Sequence, residues 1–208
     1  MPLFVKHNEP LWSVWKIEES SDELLAMLEH KDWYQSFLST IKTEKRKQEW
    51  LACRVLLKNM LGEEKQIAYN TEGAPYLRNS SLYISFSHTK GFVAVRVSKR
   101  PAVGIDIEYR TNRVMKIRSR FMNPEEEAVL DKHNEIIHLL IHWCAKETLF
   151  KMIGQKDVDF LRHLHVKPMA CLDTAGSFFV QETRTVDAAS YRLGYLATDL
   201  FVLTWSEE

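Results

Sequence analysis

Apolar residues at helical spacing predict that the N-terminal third of the chain is mainly helical. The pattern Ser20-Ser21-Asp22-Glu23 has the spacing of a helix capping box, and leucines follow it at helical spacing. A longer helix is predicted from about Thr43 to Leu61, with Gly62 placed as its C-terminal stop. One face of that helix is apolar and should pack on a core; it comprises Trp50, Cys53, Leu57, Met60 and Leu61.

Alternation of apolar and polar positions predicts strands in the middle of the chain. Between Leu82 and His88 the apolar side chains point one way and the serines the other. Strands from Phe92 to Val97 and from Val103 to Tyr109 follow after short turns. Because short connections join antiparallel neighbours, we expect these three strands to form a meander.

Helical and then alternating patterns return in the second half of the chain. Asn123-Pro124-Glu125-Glu126 is typical of a helix start, and a further helix is predicted from about Glu135 to Ile153, ending at Gly154. The segment from Ser177 to Trp205 should add strands. The order predicts an α+β fold and is compatible with two similar lobes, although no internal repeat establishes them.

Composition excludes some classes of protein. The 208 residues are 45% hydrophobic and 27% charged, which is typical of a globular protein. Because 28 basic and 28 acidic residues cancel, no global basic field favours nucleic acid. We expect neither a signal peptide nor a membrane helix, since no apolar run is long enough. Three widely spaced cysteines, Cys53, Cys144 and Cys171, favour a reducing compartment, and we expect a cytoplasmic protein.

The strand after Val103 carries the first candidate chemistry. Gly104, Asp106 and Glu108 share one face, opposite the apolar residues. Two carboxylates so close repel each other unless a cation lies between them, and Mg²⁺ accepts such ligands. Gly104 would leave room for a ligand. The alternative is a solvated strand face, which is the commoner situation for this pattern taken alone.

A second candidate lies on the predicted helix from Glu135. Trp143, Glu147 and Lys151 fall on one face, where an acid and a lysine could serve a metal and a pyrophosphate together. The alternative is an exposed Glu147–Lys151 pair, worth only about 0.2–0.5 kcal/mol. The large Trp143 on the same stripe argues against a simply solvated face.

A third candidate is the strand end Ser85-Phe86-Ser87-His88. Hydroxyls, an imidazole and backbone amides can bind an anion. The alternative is a polar strand end with a surface histidine.

In this order, the three motifs resemble the Sfp-type 4′-phosphopantetheinyl transferases. They read Ser85-Phe86-Ser87-His88, then Gly104-Ile105-Asp106-Ile107-Glu108, then Trp143-Cys144-Ala145-Lys146-Glu147-Thr148-Leu149-Phe150-Lys151, and the likeness runs from about Thr43 to Lys167. The resemblance implies two similar α+β lobes related by a pseudo-twofold axis, with mainly antiparallel sheets. The lobes would span residues 1–98 and 99–208, with coenzyme A in the cleft between them.

The resemblance also implies an activity and roles for residues. The enzyme would transfer phosphopantetheine from coenzyme A to a serine of an acyl or peptidyl carrier protein, releasing 3′,5′-ADP. The expected Mg²⁺ ligands are Asp106, Glu108 and Glu147. Lys146 and Lys151 would neutralise phosphate charge. His88 would contact the 3′-phosphate. The other expected nucleotide contacts are Ser87, Arg54 and a basic cluster of Lys42, Lys45, Arg46 and Lys47. The alternative for this cluster is a solvated helix start.

One departure from the family pattern concerns a phosphate contact. The family often has Gly-Lys-Pro before the serine–histidine strand, whereas this chain has Gly73-Ala74-Pro75-Tyr76. The missing lysine should weaken coenzyme A binding unless a neighbour such as Lys90 substitutes for it. All three carboxylates remain, so we still expect activity.

The serine proton needs an acceptor, and an acidic carrier needs a docking surface. Glu147 is the preferred base; Glu126 is the alternative, although a capping box for its own helix explains Glu126 more simply. The run from Tyr109 to Pro124 contains no acid and could steer an acidic carrier, chiefly through Arg113, Lys116 and Arg118; an exposed loop without a partner is nearly as good an explanation. Apolar anchoring could come from Met115, Ile117, Phe121 and Met122.

Other functions stay open at this point. The chain could be a non-catalytic relative that binds coenzyme A or a carrier, or a magnesium phosphohydrolase. His138 and His142 have a zinc-like spacing, but no third ligand is placed by the pattern. We expect a monomer. The carrier could belong to fatty acid, polyketide, nonribosomal peptide or lysine biosynthesis.

Overall fold

In a computed structural model, the chain forms two larger antiparallel sheets, each packed on one long helix. The structure describes residues 3–169 and 173–207. The chain divides into two compact units, residues 1–99 and 100–208, and each has its own hydrophobic core. The expected α+β class with mainly antiparallel sheets is confirmed. The pseudo-twofold relation between lobes stays a prediction.

The N-terminal unit packs a long helix on a sheet with the strand order β1-β2-β6-β5. Its strands and helices are β1 Leu3–Asn8, β2 Leu11–Lys16, α1 Ser21–Ala26, α2 Asp32–Leu38, α3 Glu44–Leu61, β3 Ile67–Tyr69, β4 Pro75–Leu77, β5 Tyr83–Thr89 and β6 Phe92–Ser98. Strands β3 and β4 form a separate small hairpin. The apolar face of α3 lies in the core with the inner side of β5 and β6.

The hairpin β1–β2 corrects the expectation that the N-terminal third is mainly helical. Within β2 the four residues from Trp12 to Trp15 are all buried, including the polar Ser13. Because both faces of this strand are covered, its sequence shows no alternation between apolar and polar positions. A short run of this kind cannot be assigned to a strand by periodicity alone.

The C-terminal unit packs α5 on a sheet with the strand order β7-β11-β10-β9-β8. Its elements are β7 Ile105–Tyr109, two short 3₁₀ helices Asn112–Lys116 and Arg118–Arg120, α4 Pro124–Ala128, α5 Glu135–Ile153, β8 Leu164–Val166, β9 Ala175–Glu182, β10 Ser190–Ala197 and β11 Phe201–Ser206. The strands expected in the tail are confirmed. Residues buried on α5 face β7 and β11 across the core.

Strand β7 does not continue the predicted meander. Strands β5 and β6 pair as expected, but β7 pairs antiparallel with β11, with Asp106 opposite Thr204 and Glu108 opposite Val202. Short connections favour pairing of neighbours, yet a strand joins the sheet on which its apolar face can be buried. Here that sheet belongs to the C-terminal unit.

The predicted helix ends are confirmed because their signals are local. Ser20 and Asn123 each form the expected capping box with the glutamate three residues later. Gly62 and Gly154 end α3 and α5 in the left-handed conformation, which glycine adopts without steric cost.

Candidate functional site

The acidic face of β7 lies against helix α5. Asp106 is only 5% exposed. A Cβ atom on Gly104 would lie 2.5 Å from the backbone oxygen of Thr148 and 2.7 Å from Cγ of Met152. Gly104 therefore makes room for the helix, and the expectation that it makes room for a ligand is wrong. The alternative of a solvated strand face is also wrong, because α5 covers it.

Lys151 links α5 to the acidic strand. Its Nζ donates to Oδ1 of Asp106 at 2.7 Å and to the backbone oxygen of Ile105 at 2.8 Å. The lysine is thus paired with a carboxylate on another element. This contact contradicts the alternative in which Glu147 and Lys151 form only an exposed pair on the helix. A partly exposed lysine that already neutralises one buried acid can also meet an anion from solvent.

Trp143 holds the second carboxylate of the strand. Its indole Nε1 donates to Oε1 of Glu108 at 2.9 Å. The indole ring is partly buried and packs near Phe121 and Phe160. A ring fixed by this packing restricts where the Glu108 carboxylate can lie.

Glu147 completes a group of three electrostatically coupled carboxylates. Burial, then the charge of Asp106, raises the pKa of Glu147 to about 7, with Glu108 adding to the rise and Lys151 opposing it. Burial and Asp106 also raise the pKa of Glu108, while Trp143 and Lys151 act in the opposite direction. Asp106 therefore makes Glu108 and Glu147 harder to ionise, and a cation among the three carboxylates would relieve that repulsion.

The donor set suits a hard cation. Across residues 3–169 and 173–207, no group of three or more His, Cys, Asp or Glu side chains is arranged as a ready-made metal site. The three carboxylates supply only oxygen donors, which Mg²⁺ prefers, and their mutual repulsion favours a divalent ion. Mg²⁺ usually keeps several waters and binds through one or two carboxylates plus phosphate, so it does not need a closed protein cage.

Lys146 lies on the buried side of α5. It is 0% exposed, and its Nζ donates to Oε2 of Glu126 at 2.7 Å and to the backbone oxygens of Phe121 and Phe160. These three acceptors join α5 to the segments before and after it. The arrangement favours a structural role for Lys146 over the expected phosphate contact.

Glu126 is enclosed in the same network. It closes the capping box of α4 and accepts from the backbone N–H of Val166 at 2.9 Å. It is 2% exposed. The interpretation of Glu126 as a capping residue is confirmed, and its two oxygens are occupied by structural donors.

The N-terminal unit brings part of the expected nucleotide-binding set together. Nδ1 of His88 lies 3.4 Å from Oε2 of Glu49, and Nη1 of Arg46 lies 3.5 Å from the same oxygen. Nη1 of Arg46 also contacts Nε2 of His88. Nζ of Lys45 lies 3.6 Å from Oε1 of Glu49. We call these four residues the Glu49 cluster.

Glu49 was missed by the sequence analysis. It is 6% exposed and lies at the centre of the cluster. Its spacing of three from Arg46 and four from Lys45 on α3 could have indicated the two helical contacts. The contact with His88 could not be foreseen, because it joins α3 to the end of β5.

The other expected nucleotide contacts are arranged differently. Arg54 is 5% exposed; its guanidinium stacks 3.3 Å above the ring of Trp50 and donates to the hydroxyl of Tyr69 at 3.0 Å. Burial lowers the pKa of Arg54. Ser87 is buried beside His88 on β5, whereas Lys42 is exposed just before α3. Arg54 is therefore packed in its unit, while Lys42 is accessible.

Part of the basic run after β7 forms ion pairs within the protein. Arg118 donates to Glu127 and to Glu135, and these acids raise its pKa. Arg113 and Lys116 are exposed, and Met115 is 38% exposed beside them. The expected apolar anchors also include Phe121 and Met122, but both are buried in the core and cannot contact a partner.

The histidine pair on α5 is structural. Nδ1 of His138 accepts from the backbone N–H of Asp131 at 2.7 Å, and the ring of His142 contacts the backbone oxygen of His138 at 2.9 Å. Burial lowers the pKa of His142 to about 3. Both rings are buried without an acidic ligand cluster in the described part of the chain, which leaves the zinc alternative without support. Cys53 and Cys144 are buried, and Cys171 lies outside the described residues.

A cavity of about 350 Å³ in the C-terminal unit is not lined by Asp106, Glu108 or Glu147. Its lining consists of Arg110, Asn134, Ile137, Asp173, Thr174, Ala197, Thr198 and Asp199. The coupled acids, not this cavity, carry the candidate chemistry.

Comparison with known protein families finds one to which part of the C-terminal unit is similar. Residues 102–203, just under half of the chain, match the family described as the 4′-phosphopantetheinyl transferase superfamily. The matched segment contains Asp106, Glu108, Glu147 and Lys151. No curated protein matches the chain. None of the described helices has the length and apolarity required to cross a membrane.

Proposed function

We propose that this chain is a magnesium-dependent 4′-phosphopantetheinyl transferase of the Sfp type that modifies a serine of a carrier protein. One observation carries the proposal: Asp106, Glu108 and Glu147 form a single coupled acidic group beside Lys151. That group lies within the segment that matches the transferase superfamily. Phosphoryl transfer depends mainly on positioning and on neutralising charge, and these residues suit both tasks.

Each residue of the acidic group has a proposed part. Asp106, Glu108 and Glu147 would hold Mg²⁺, which when bound neutralises pyrophosphate charge and acts as a Lewis acid. Trp143 orients Glu108 through its indole N–H. Lys151 pairs with Asp106 and would present a positive charge to phosphate.

The reaction forms one bond and breaks another. The carrier-serine oxygen bonds to the β-phosphorus of coenzyme A, and the bond to the departing 3′,5′-ADP breaks. The serine proton passes to Glu147, whose pKa in the metal-free protein is raised to about 7 by burial and by the charge of Asp106. We prefer Glu147 to Glu126 because both oxygens of Glu126 already accept structural hydrogen bonds.

The N-terminal unit would bind the nucleotide. Arg46, His88 and Lys42 offer accessible cationic or imidazole groups, and Ser87 adjoins His88 on the same strand. His88 would contact the 3′-phosphate. Arg54 would act indirectly, since its guanidinium is packed on Trp50. Ala74 leaves the family lysine position without a cation.

The carrier would dock near the exposed part of the basic run. Arg113 and Lys116 would attract an acidic surface, with Met115 between them as an apolar contact. We further propose a monomer in a reducing, cytoplasmic compartment, which the small number and wide spacing of the cysteines support.

A non-catalytic relative that binds coenzyme A or a carrier is the second candidate. Ala74, in place of the family lysine, favours it. Incubation with coenzyme A, Mg²⁺ and an apo-carrier separates the two. A carrier mass increased by the phosphopantetheine arm supports transfer. Binding without product supports the scaffold, and hydrolysis of coenzyme A without carrier modification would support a phosphohydrolase instead.

A further inference from the structure

The Glu49 cluster contains an acid where an anion-binding site should contain only cations. Glu49 is almost completely buried, yet it lies within 3.4 to 3.6 Å of His88, Arg46 and Lys45. A buried carboxylate near a phosphate site repels the anion, so its presence there suggests a second role. The contacts of the His88 ring indicate that role.

The two nitrogens of His88 face groups of opposite character. Nδ1 faces Oε2 of Glu49, which only accepts hydrogen bonds when ionised. Nε2 faces a guanidinium nitrogen of Arg46, which only donates. The neutral ring is consistent with both neighbours only when Nδ1 carries the proton and Nε2 accepts. Glu49 and Arg46 together therefore select one tautomer and one ring orientation.

We propose that Glu49 is a positioning residue that fixes the His88 ring and favours its protonated form, so that Nε2–H can donate to a phosphate. This inference rests on the proposed function for the identity of the ligand, which is the 3′-phosphate of coenzyme A. When the phosphate arrives, it replaces the contact between Nε2 and Arg46, and both groups can then face the anion. Glu49 remains on Nδ1 and stabilises the imidazolium.

The charges around the ring support this assignment. Arg46 disfavours protonation of His88 and Glu49 favours it, and both lie on α3. On the neighbouring strand, Val93 is the residue paired with His88 and carries no charge. Lys45 contacts Glu49, with its Nζ 3.6 Å from Oε1. Glu49 is thus the acidic group that the described contacts place on the His88 ring.

The first test uses the unaltered protein. Nitrogen NMR of the histidine rings distinguishes the two neutral tautomers. We expect His88 to carry its proton on Nδ1 above neutral pH, in the absence of any ligand. Protonation on Nε2 would overturn the proposal, and this measurement does not depend on the folding of any variant or on catalytic activity.

The second test uses Glu49→Gln, which keeps the size of the side chain and removes its charge. Its affinity for coenzyme A should fall about three- to tenfold at pH 8, corresponding to about 0.7–1.4 kcal/mol. The loss should shrink toward pH 6, because a higher proton concentration charges His88 without the help of Glu49. Affinity for dephospho-coenzyme A should change little at either pH.

Glu63→Gln is the matched control, since Glu63 is exposed and paired with Lys65. It should leave both affinities unchanged. A tighter complex of Glu49→Gln with coenzyme A would mean that Glu49 only repels the ligand, and an equal loss at both pH values would reduce it to a packing role. If the unaltered protein fails to bind coenzyme A, the proposed function fails, while the tautomer still decides whether Glu49 fixes the ring.

Discussion

The charged centres of the two units have opposite compositions. In the N-terminal unit, Lys45, Arg46 and His88 surround one acid, Glu49. In the C-terminal unit, three acids are coupled around one lysine, Lys151, which pairs with Asp106. Each centre thus contains several groups of one character and a single group of opposite charge.

The difference shows how a protein can preorganise like charges. Groups of the same sign repel each other, and burial increases that repulsion. One opposite charge reduces the cost without neutralising the whole group. The remainder of the charge can then attract a ligand of opposite sign, which under the proposed function is an anion in the first centre and a cation in the second.

Removing a carboxylate from the acidic centre should produce the largest effect. Asp106→Asn keeps the size of the side chain but removes its charge, and we expect transfer to fall about a hundred- to a thousandfold. Coenzyme A affinity measured without Mg²⁺ should change much less. Asp199→Asn, at an exposed acid of the same unit, is the control. Near-normal turnover of Asp106→Asn in saturating Mg²⁺ would show that the metal assignment is wrong.

Removing the imidazole from the basic centre should produce the next largest effect. His88→Ala loses a charge-assisted contact worth about 1.5–3 kcal/mol, so KM for coenzyme A should rise about ten- to a hundredfold. Dephospho-coenzyme A should show little further loss with this variant, which steady-state kinetics can measure. His133→Ala, at an exposed histidine of the C-terminal unit, should behave as the unaltered protein. A full additional penalty with dephospho-coenzyme A would place His88 on another group of the ligand.

Neutralising Glu147 should show how far burial and repulsion among the three carboxylates destabilise the folded protein. The pKa of Glu147 in the folded protein is about 7, above its ordinary value of 4.5, so the protonated form favours folding. That contribution is fully present below pH 4.5 and is lost as pH rises through about 7. Metal-free Glu147→Gln should therefore be more stable than the unaltered protein at pH 8 by about 1–3 kcal/mol, and equally stable near pH 4.

Denaturant unfolding in the presence of a chelator measures this difference. Glu125→Gln changes an exposed acid of the same unit and should not show the same dependence on pH. Added Mg²⁺ should stabilise the unaltered protein more than Glu147→Gln. A stability difference that is independent of pH would mean that Glu147 is not held in a repulsive field.

The smallest effect should come from the exposed cations outside both centres. Arg113→Glu combined with Lys116→Glu should lower kcat/KM for an acidic carrier about three- to tenfold at low salt, through a slower encounter. Arg118 is left intact because Glu127 and Glu135 hold it. The difference should vanish toward physiological salt, where the Debye length is about 8 Å.

The control for carrier docking reverses the same number of charges elsewhere. Lys132 and Arg162 are exposed on the same unit, and their replacement by glutamate should not alter carrier kinetics. Coenzyme A affinity should be the same in both double variants. A collapse of coenzyme A affinity in the first variant would assign Arg113 and Lys116 to the nucleotide site instead.

Local signals in the sequence predicted α1, α3, α4 and α5, whereas α2 was not predicted. Ser20, Gly62, Asn123 and Gly154 act on neighbouring backbone groups within a few residues, so their effect can be read without knowing the fold. The acidic strand motif and the helix motif were also recognisable. Their spacing on each element determined which side chains share a face.

The tertiary structure decided which of these faces meet. It paired β7 with β11, placed Gly104 against Thr148, and buried Lys146 beside Glu126 although the adjacent Glu147 faces the other acids. It also brought His88 to Glu49, an acid that the sequence did not distinguish from others on α3. Such contacts join residues far apart in the chain, and they depend on the burial of whole faces, so local pattern alone could not predict them.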